Sequence, residues 1–137
     1  MNRKVARENA FVLIFESVAR PDATAEEILE TAISERELET DDFVKDVFLG
    51  TQSHLEEIEQ ALESCLVGWK KNRISVTSMA ILRLGAYEML YKDDIPALVT
   101  INECIELSKK FDDDKTYSFV NGVLNALAEK CGKKNAK

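Results

Sequence analysis

Val76-Thr77-Ser78-Met79-Ala80-Ile81-Leu82-Arg83-Leu84-Gly85-Ala86-Tyr87-Glu88-Met89-Leu90 is the most informative stretch of this chain. Its only charges are Arg83 and Glu88, and a helix apolar nearly all round is normally a buried central one. A central helix needs others to cover it. Upstream, Ala6, Ala10, Leu13, Ile14 and Ser17 recur at helical spacing over 4–19, with Val5, Phe11, Phe15 and Val18 widening the stripe until Arg20-Pro21-Asp22 ends it. Thr24 opens a capping box with Glu27, and Ile28, Leu29, Ala32 and Ile33 give a second helix an apolar face as far as about Ser34. Thr40-Asp41-Asp42 starts a third. There Phe43, Val47, Thr51, Leu55, Ile58 and Leu62 keep steps of three and four, predicting one continuous helix with Glu56, Glu57, Glu59 and Glu63 outside.

Downstream, a connection through Gly68, Trp69 and Arg73 leads into the central helix, and Asp93-Asp94-Ile95-Pro96 breaks it. Leu98, Ile101, Ile105 and Ser108 then trace the inner face of a fifth helix that ends around Lys109-Lys110, cations suited to a helix C-terminus. After the loop from Phe111 to Asp114, a last helix over about 115–130 buries Val120, Val123, Leu124, Leu127 and Cys131, with Gly132 as its C-cap glycine. Five Gly and two Pro in 137 residues are too few for a many-stranded sandwich or barrel, and no stretch alternates as a strand would. The expected fold is all-α, a compact single domain of about six or seven helices. Its halves, about 1–68 and 69–131, hinge near Gly68, and a basic tail follows over 132–137.

Three cysteines, Cys65, Cys104 and Cys131, include no CxxC pair and suit reduced core thiols. The single His54 has no HExxH companion, so neither a metal nor another cofactor is expected. No run of about 18 apolar residues exists, and charges arrive too early for a signal peptide. A cytoplasmic chain without a membrane role is the expectation.

The net charge of −7 is unevenly spread. From Asp22 to Glu63, fourteen acidic residues face Arg36 and Lys45, whereas the segments before and after carry +2 and +3. Phosphate binding depends on the field within a Debye length of about 8 Å, so a basic end on an acidic body can still bind nucleic acid. Arg3, Lys4 and Arg7 stand where the first helix begins, a poor place for cations because the helix dipole is positive there. An anionic partner explains them; a terminus charged for solubility is the competing explanation. Phe111, Tyr117 and Phe119, interleaved with Lys109, Lys110 and Lys115, suit base stacking beside phosphate contacts, against core packing for Phe119.

Nothing in the chain spells catalysis: GxSxG, Walker A and GxGxxG motifs are absent. The carboxylates of the second and third helices read as a solvated face, and Asp112-Asp113-Asp114 reads as an N-cap for the last helix. Arg83 and Glu88, five apart, are poorly placed to pair with each other and should reach partners in the bundle or across an interface. Trp69 closes the core or shares a surface with Arg73.

The residues Ala80-Ile81-Leu82-Arg83-Leu84 with Tyr87-Glu88, then Ile95-Pro96, Ile101-Asn102-Glu103 with Ile105-Glu106-Leu107, and Phe119-Val120-Asn121-Gly122-Val123-Leu124 stand in an order and spacing that resemble the NusB family of transcription antitermination factors. Near the start, Ala6-Arg7 before Ala10 looks like the family's basic opening, here with only three basic residues before Glu8. The resemblance implies an all-helical fold of two three-helix halves and a non-enzymatic role. It implies binding of boxA-like single-stranded RNA of ribosomal leader transcripts together with NusE, a ribosomal small-subunit protein, within an RNA polymerase antitermination complex. By position it implies RNA contacts at Arg3, Lys4, Arg7, Lys110, Phe111, Lys115 and Phe119. It points to the central helix, with Arg83 and Glu88, for the protein partner. The thin basic opening suggests that RNA binding depends on that partner. Other readings stay open: an RNA-positioning module for rRNA modification, a homodimeric interaction protein, and a small acid/base hydrolase with buried paired carboxylates.

Overall fold

The computed structural model describes residues 1–66, 68, 70–113 and 115–133. Among them it has no strand and seven α-helices: α1 (Arg3–Ala19), α2 (Ala25–Arg36), α3 (Asp42–Ser53), α4 (Leu55–Glu63), α5 (Val76–Tyr91), α6 (Ala97–Phe111) and α7 (Tyr117–Lys130), with a 3-10 turn at Lys71–Arg73. The expected all-α bundle is what forms.

Local chemistry explains most boundaries. Asn2 caps α1 by accepting from the Val5 N–H at 2.8 Å, and the Thr24 hydroxyl accepts from the Glu27 N–H at 3.1 Å, as the capping box requires. Asp41 does the same for α3, accepting from Val44. The expected single helix from Thr40 to Leu62 is instead two, broken at His54. Side chains compete there with the backbone ladder. Thr51 Oγ1 donates to the Val47 carbonyl at 2.6 Å and Ser53 Oγ to that of Gly50 at 3.1 Å, while the His54 ring stacks on Tyr91 with centroids 4.2 Å apart.

α5 is the central element: from Ser78 to Met89 every residue except Arg83 is buried. α1, α3, α4, α6 and α7 all pack on it. Two glycines permit the closest approaches. A Cβ on Gly50 of α3 would lie 2.3 Å from the Tyr87 ring, and one on Gly85 would lie 2.9 Å from Leu124 Cδ2 of α7. Around α5 a single apolar cluster includes Leu13 and Ile14 of α1, Phe48 of α3, Ile58 of α4 and Leu124 of α7.

Three details depart from expectation. Leu98 is exposed, because the buried stripe of α6 runs through Ala97, Thr100, Ile101, Cys104, Leu107 and Ser108, and Leu98 lies a hundred degrees off it. Cys65 and Cys104 are buried, but Cys131 is exposed, since it follows the last turn of α7 where Gly132, at φ 70°, turns the chain away. Asp112 ends α6 and does not cap α7; its Oδ2 accepts from Ser75 Oγ at 3.0 Å and Ser78 Oγ at 2.9 Å, tying the first turn of α5 to the end of α6. Trp69, Asp114, Lys134 and Lys137 lie outside the described residues. Among those described, no helix is long and apolar enough to cross a membrane.

Candidate nucleic-acid interface

The first turn of α1 contains no acidic residue to balance its dipole, and Lys4 projects from it exposed. This end of α1 meets the C-terminal half of α6. Lys110 Nζ donates to Glu8 Oε1 at 2.8 Å, and the rings of Phe11 and Phe111 lie 5.0 Å apart. The Lys110 ammonium stands 5.4 Å from the Phe111 centroid. Between the helices a cleft of about 80 Å³ is lined by Lys4, Arg7, Glu8, Glu103, Glu106, Leu107 and Lys110. An apolar hollow of about 250 Å³ is lined by Phe11, Val12, Phe15, Thr77 and Phe111. Phe15 and Phe111 keep 37% and 39% of their surface in solvent. Ammonium groups that can meet phosphates thus lie beside rings on which bases can stack, the combination that holds single-stranded nucleic acid.

The structure gathers Lys4, Arg7, Lys110 and Phe111 from the expected set on one edge and sends Arg3, Lys115 and Phe119 elsewhere. Arg3 lies over the Phe43 ring of α3, 4.0 Å from its centroid. Lys115 is exposed in the turn between α6 and α7, which a Ser108–Thr116 hydroxyl contact of 3.3 Å braces. Phe119 is half-buried and packs against the core.

Two expectations need correction. Arg7 does not offer its charge to a ligand: it is 4% exposed, with Nε 2.7 Å from Glu88 Oε2 and Nη2 3.2 Å from Oε1. Glu88 is fully buried and cannot face a protein partner; Thr100 Oγ1 donates to its Oε1 at 2.7 Å. Both side chains fall on the core stripes of their helices, and each makes the other's burial tolerable. Arg83 also turns inward, its Nη2 2.5 Å from Glu59 Oε1 of α4, where Lys71 joins the same carboxylate. Burial opposes ionisation of Glu59, yet the hydrogen bond from Lys71 and the charge of Arg83 outweigh it, so its carboxyl stays below the usual range.

Among the described residues Glu88 is the only buried carboxylate, so the paired carboxylates required by a hydrolase are not assembled. Burial, with Glu88 close by, pushes the Cys104 thiol well up and makes it a poor nucleophile. Phe11, Phe15 and Glu8 belong to the candidate site although the sequence did not single them out as such. The available signal was angular: Phe11 and Phe15 are four residues apart, on a line flanking the Ala6–Ala10 stripe.

Comparison with known proteins fits this geometry. Residues 4–129 match the model of the NusB family. Transcription antitermination protein NusB of Bacillus subtilis is 42% identical over 127 residues, covering 93% of this chain and 95% of that protein. NusB of T. maritima superposes with a TM-score of 0.82 at 33% identity, over 95% of this chain and 92% of that one. A crystal structure of antitermination factors NusB and NusE in complex with dsRNA matches with a TM-score of 0.82 at 26% identity, over 93% and 96% of the two chains.

Proposed function

The chain belongs to the NusB family, and from that premise we propose that its α1–α6 edge binds boxA-like single-stranded RNA of ribosomal leader transcripts together with NusE. The protein is an RNA-binding transcription antitermination factor and not an enzyme. It acts as a scaffold: held jointly by this chain and NusE, the nascent RNA is kept beside RNA polymerase, which then reads through terminators.

The observation that carries this reading is the meeting of Lys4, Lys110 and Phe111 on one edge, although the first lies more than a hundred positions from the others. Phosphates would run along Lys4 and Lys110, while a base stacks on Phe111. The half-exposed hollow at Phe15, Val12 and Thr77 would be covered by the protein partner, since an apolar surface beside a polar track is the natural place for one.

The test is a titration with a fluorescent boxA-like strand, a scrambled strand and a duplex, with and without NusE, at two salt concentrations. Expected are a preference for the boxA-like strand and tighter binding with NusE. Equal affinity for the scrambled strand under all conditions would refute the proposal.

A further inference from the structure

The α1–α6 edge depends on how α1 is seated, and the contacts that seat it are uneven. Against α5 its N-terminal half presents Ala6 and Ala10, both fully buried, small side chains that interlock weakly with a neighbour. At the same level the fork of Arg7 grips Glu88 of α5 through two atoms, and Thr100 of α6 holds the same carboxylate. One carboxylate therefore joins the three helices that make the edge. A buried pair of this kind adds little net stability over well-packed apolar side chains. A bidentate fork does fix orientation.

We infer that Arg7 is a positioning residue for RNA binding: by clamping Glu88 it fixes the rotation of α1, so that Lys4 and Phe11 face Lys110 and Phe111. Successive helix residues are about 100° apart, so even a fraction of that rotation parts Phe11 from Phe111 and carries Lys4 off the track. The inference rests on the proposed RNA-binding reading, and the experiment separates the two.

The full-length double variant R7M/E88M replaces the clamp with apolar side chains of similar size. It is compared with wild type and with K4A/K110A for binding of the boxA-like strand at several salt concentrations. Unfolding in urea and the NMR contact between the Phe11 and Phe111 rings in the free protein complete the comparison. Expected for R7M/E88M are an unfolding midpoint at or above that of wild type, a weakened ring contact, and about tenfold weaker RNA binding. Its salt slope should be shallower by about 0.7, one single-strand phosphate contact. If R7M/E88M does not fold, Thr100→Val takes its place, with a few-fold loss expected and Thr100→Ser retaining wild-type binding. A folded R7M/E88M, or failing that a T100V, that binds like wild type while K4A/K110A is weakened overturns the positioning role. If wild type itself does not prefer the boxA-like strand, or K4A/K110A binds as wild type does, the underlying reading fails instead.

Discussion

Replacing Glu8 by Gln should tighten RNA binding. In the free protein Lys110 is committed to Glu8, Nζ to Oε1 at 2.8 Å, with Lys110 59% and Glu8 26% exposed. A phosphate arriving at Lys110 must loosen that pair or tolerate Glu8 beside it. Exposed ion pairs are worth about 0.2–1 kcal/mol. Repulsion between Glu8 and a phosphate roughly two residues' width away adds a few tenths more in salt water. Gln keeps the shape and removes the charge, so the expected gain is about 0.5–1.5 kcal/mol, a two- to tenfold lower Kd. The assay is fluorescence anisotropy with a boxA-like strand across a salt series, on wild type, E8Q, K110Q and the double variant. K110Q should weaken binding and lower the salt slope by about 0.7. In the double variant the gain from E8Q should largely vanish, because the competition it relieves is gone. Unchanged or weaker binding by E8Q, or a gain of equal size in the K110Q background, would refute competition for Lys110.

Glu88→Ala leaves Arg7 charged and buried without its main partner, which costs about 3–5 kcal/mol, or roughly 9–15 °C in Tm by calorimetry; a loss under 1 kcal/mol would contradict the buried pair. Gly50→Ala forces the Tyr87 ring away from α3 and strains its 2.8 Å bond to Asp46, so urea unfolding should show a loss of about 1–3 kcal/mol. Asp46 gives a pH signature. Burial disfavours its charge, but hydrogen bonds from Lys92 and Tyr87 prevail and hold the carboxyl below its ordinary 3.8. A depressed carboxyl contributes stability above its unfolded pKa and loses it as pH falls through the lower folded value. Stability measured from pH 5 downward should therefore decline less steeply in Asp46→Asn than in wild type.

The sequence revealed those parts of the fold whose causes are local. The spacing of Ala6, Ala10, Leu13, Ile14 and Ser17 marks the face that α1 buries, the Thr24 hydroxyl caps α2 on the Glu27 N–H, and the unbroken apolarity of α5 corresponds to its central place. What the sequence hid depends on distant partners or on side chains competing with the backbone. Leu55, Ile58 and Leu62 continue the rhythm of Phe43 and Val47 across His54, so periodicity could not show the break that Thr51 and Ser53 make by bonding backwards. Arg7 looks like its neighbours Arg3 and Lys4 until Glu88, 81 residues later, is placed against it. Lys4, Lys110 and Phe111 were legible as candidates, but their meeting was not, because it requires α1 and α6 to be seated side by side on α5.

The burial of Arg7 bears on how a protein of net charge −7 holds RNA. In the cleft between α1 and α6, Lys4, Arg7 and Lys110 face Glu8, Glu103 and Glu106, three cations against three carboxylates. Such an edge attracts a polyanion only weakly at long range, since like and unlike charges lie within one Debye length of each other. Counterion release from two lysines gives a shallow salt dependence, roughly 1.4 in slope for a single strand, too little to hold RNA firmly on its own. On the proposed reading the remaining affinity would come from contacts that salt does not screen, stacking on Phe111 and burial of the Phe15 hollow under a second protein. On that reading, dependence on a partner follows from this local neutrality, and it would restrict capture to RNA met in that partner's company, where an overtly basic edge would take any nucleic acid.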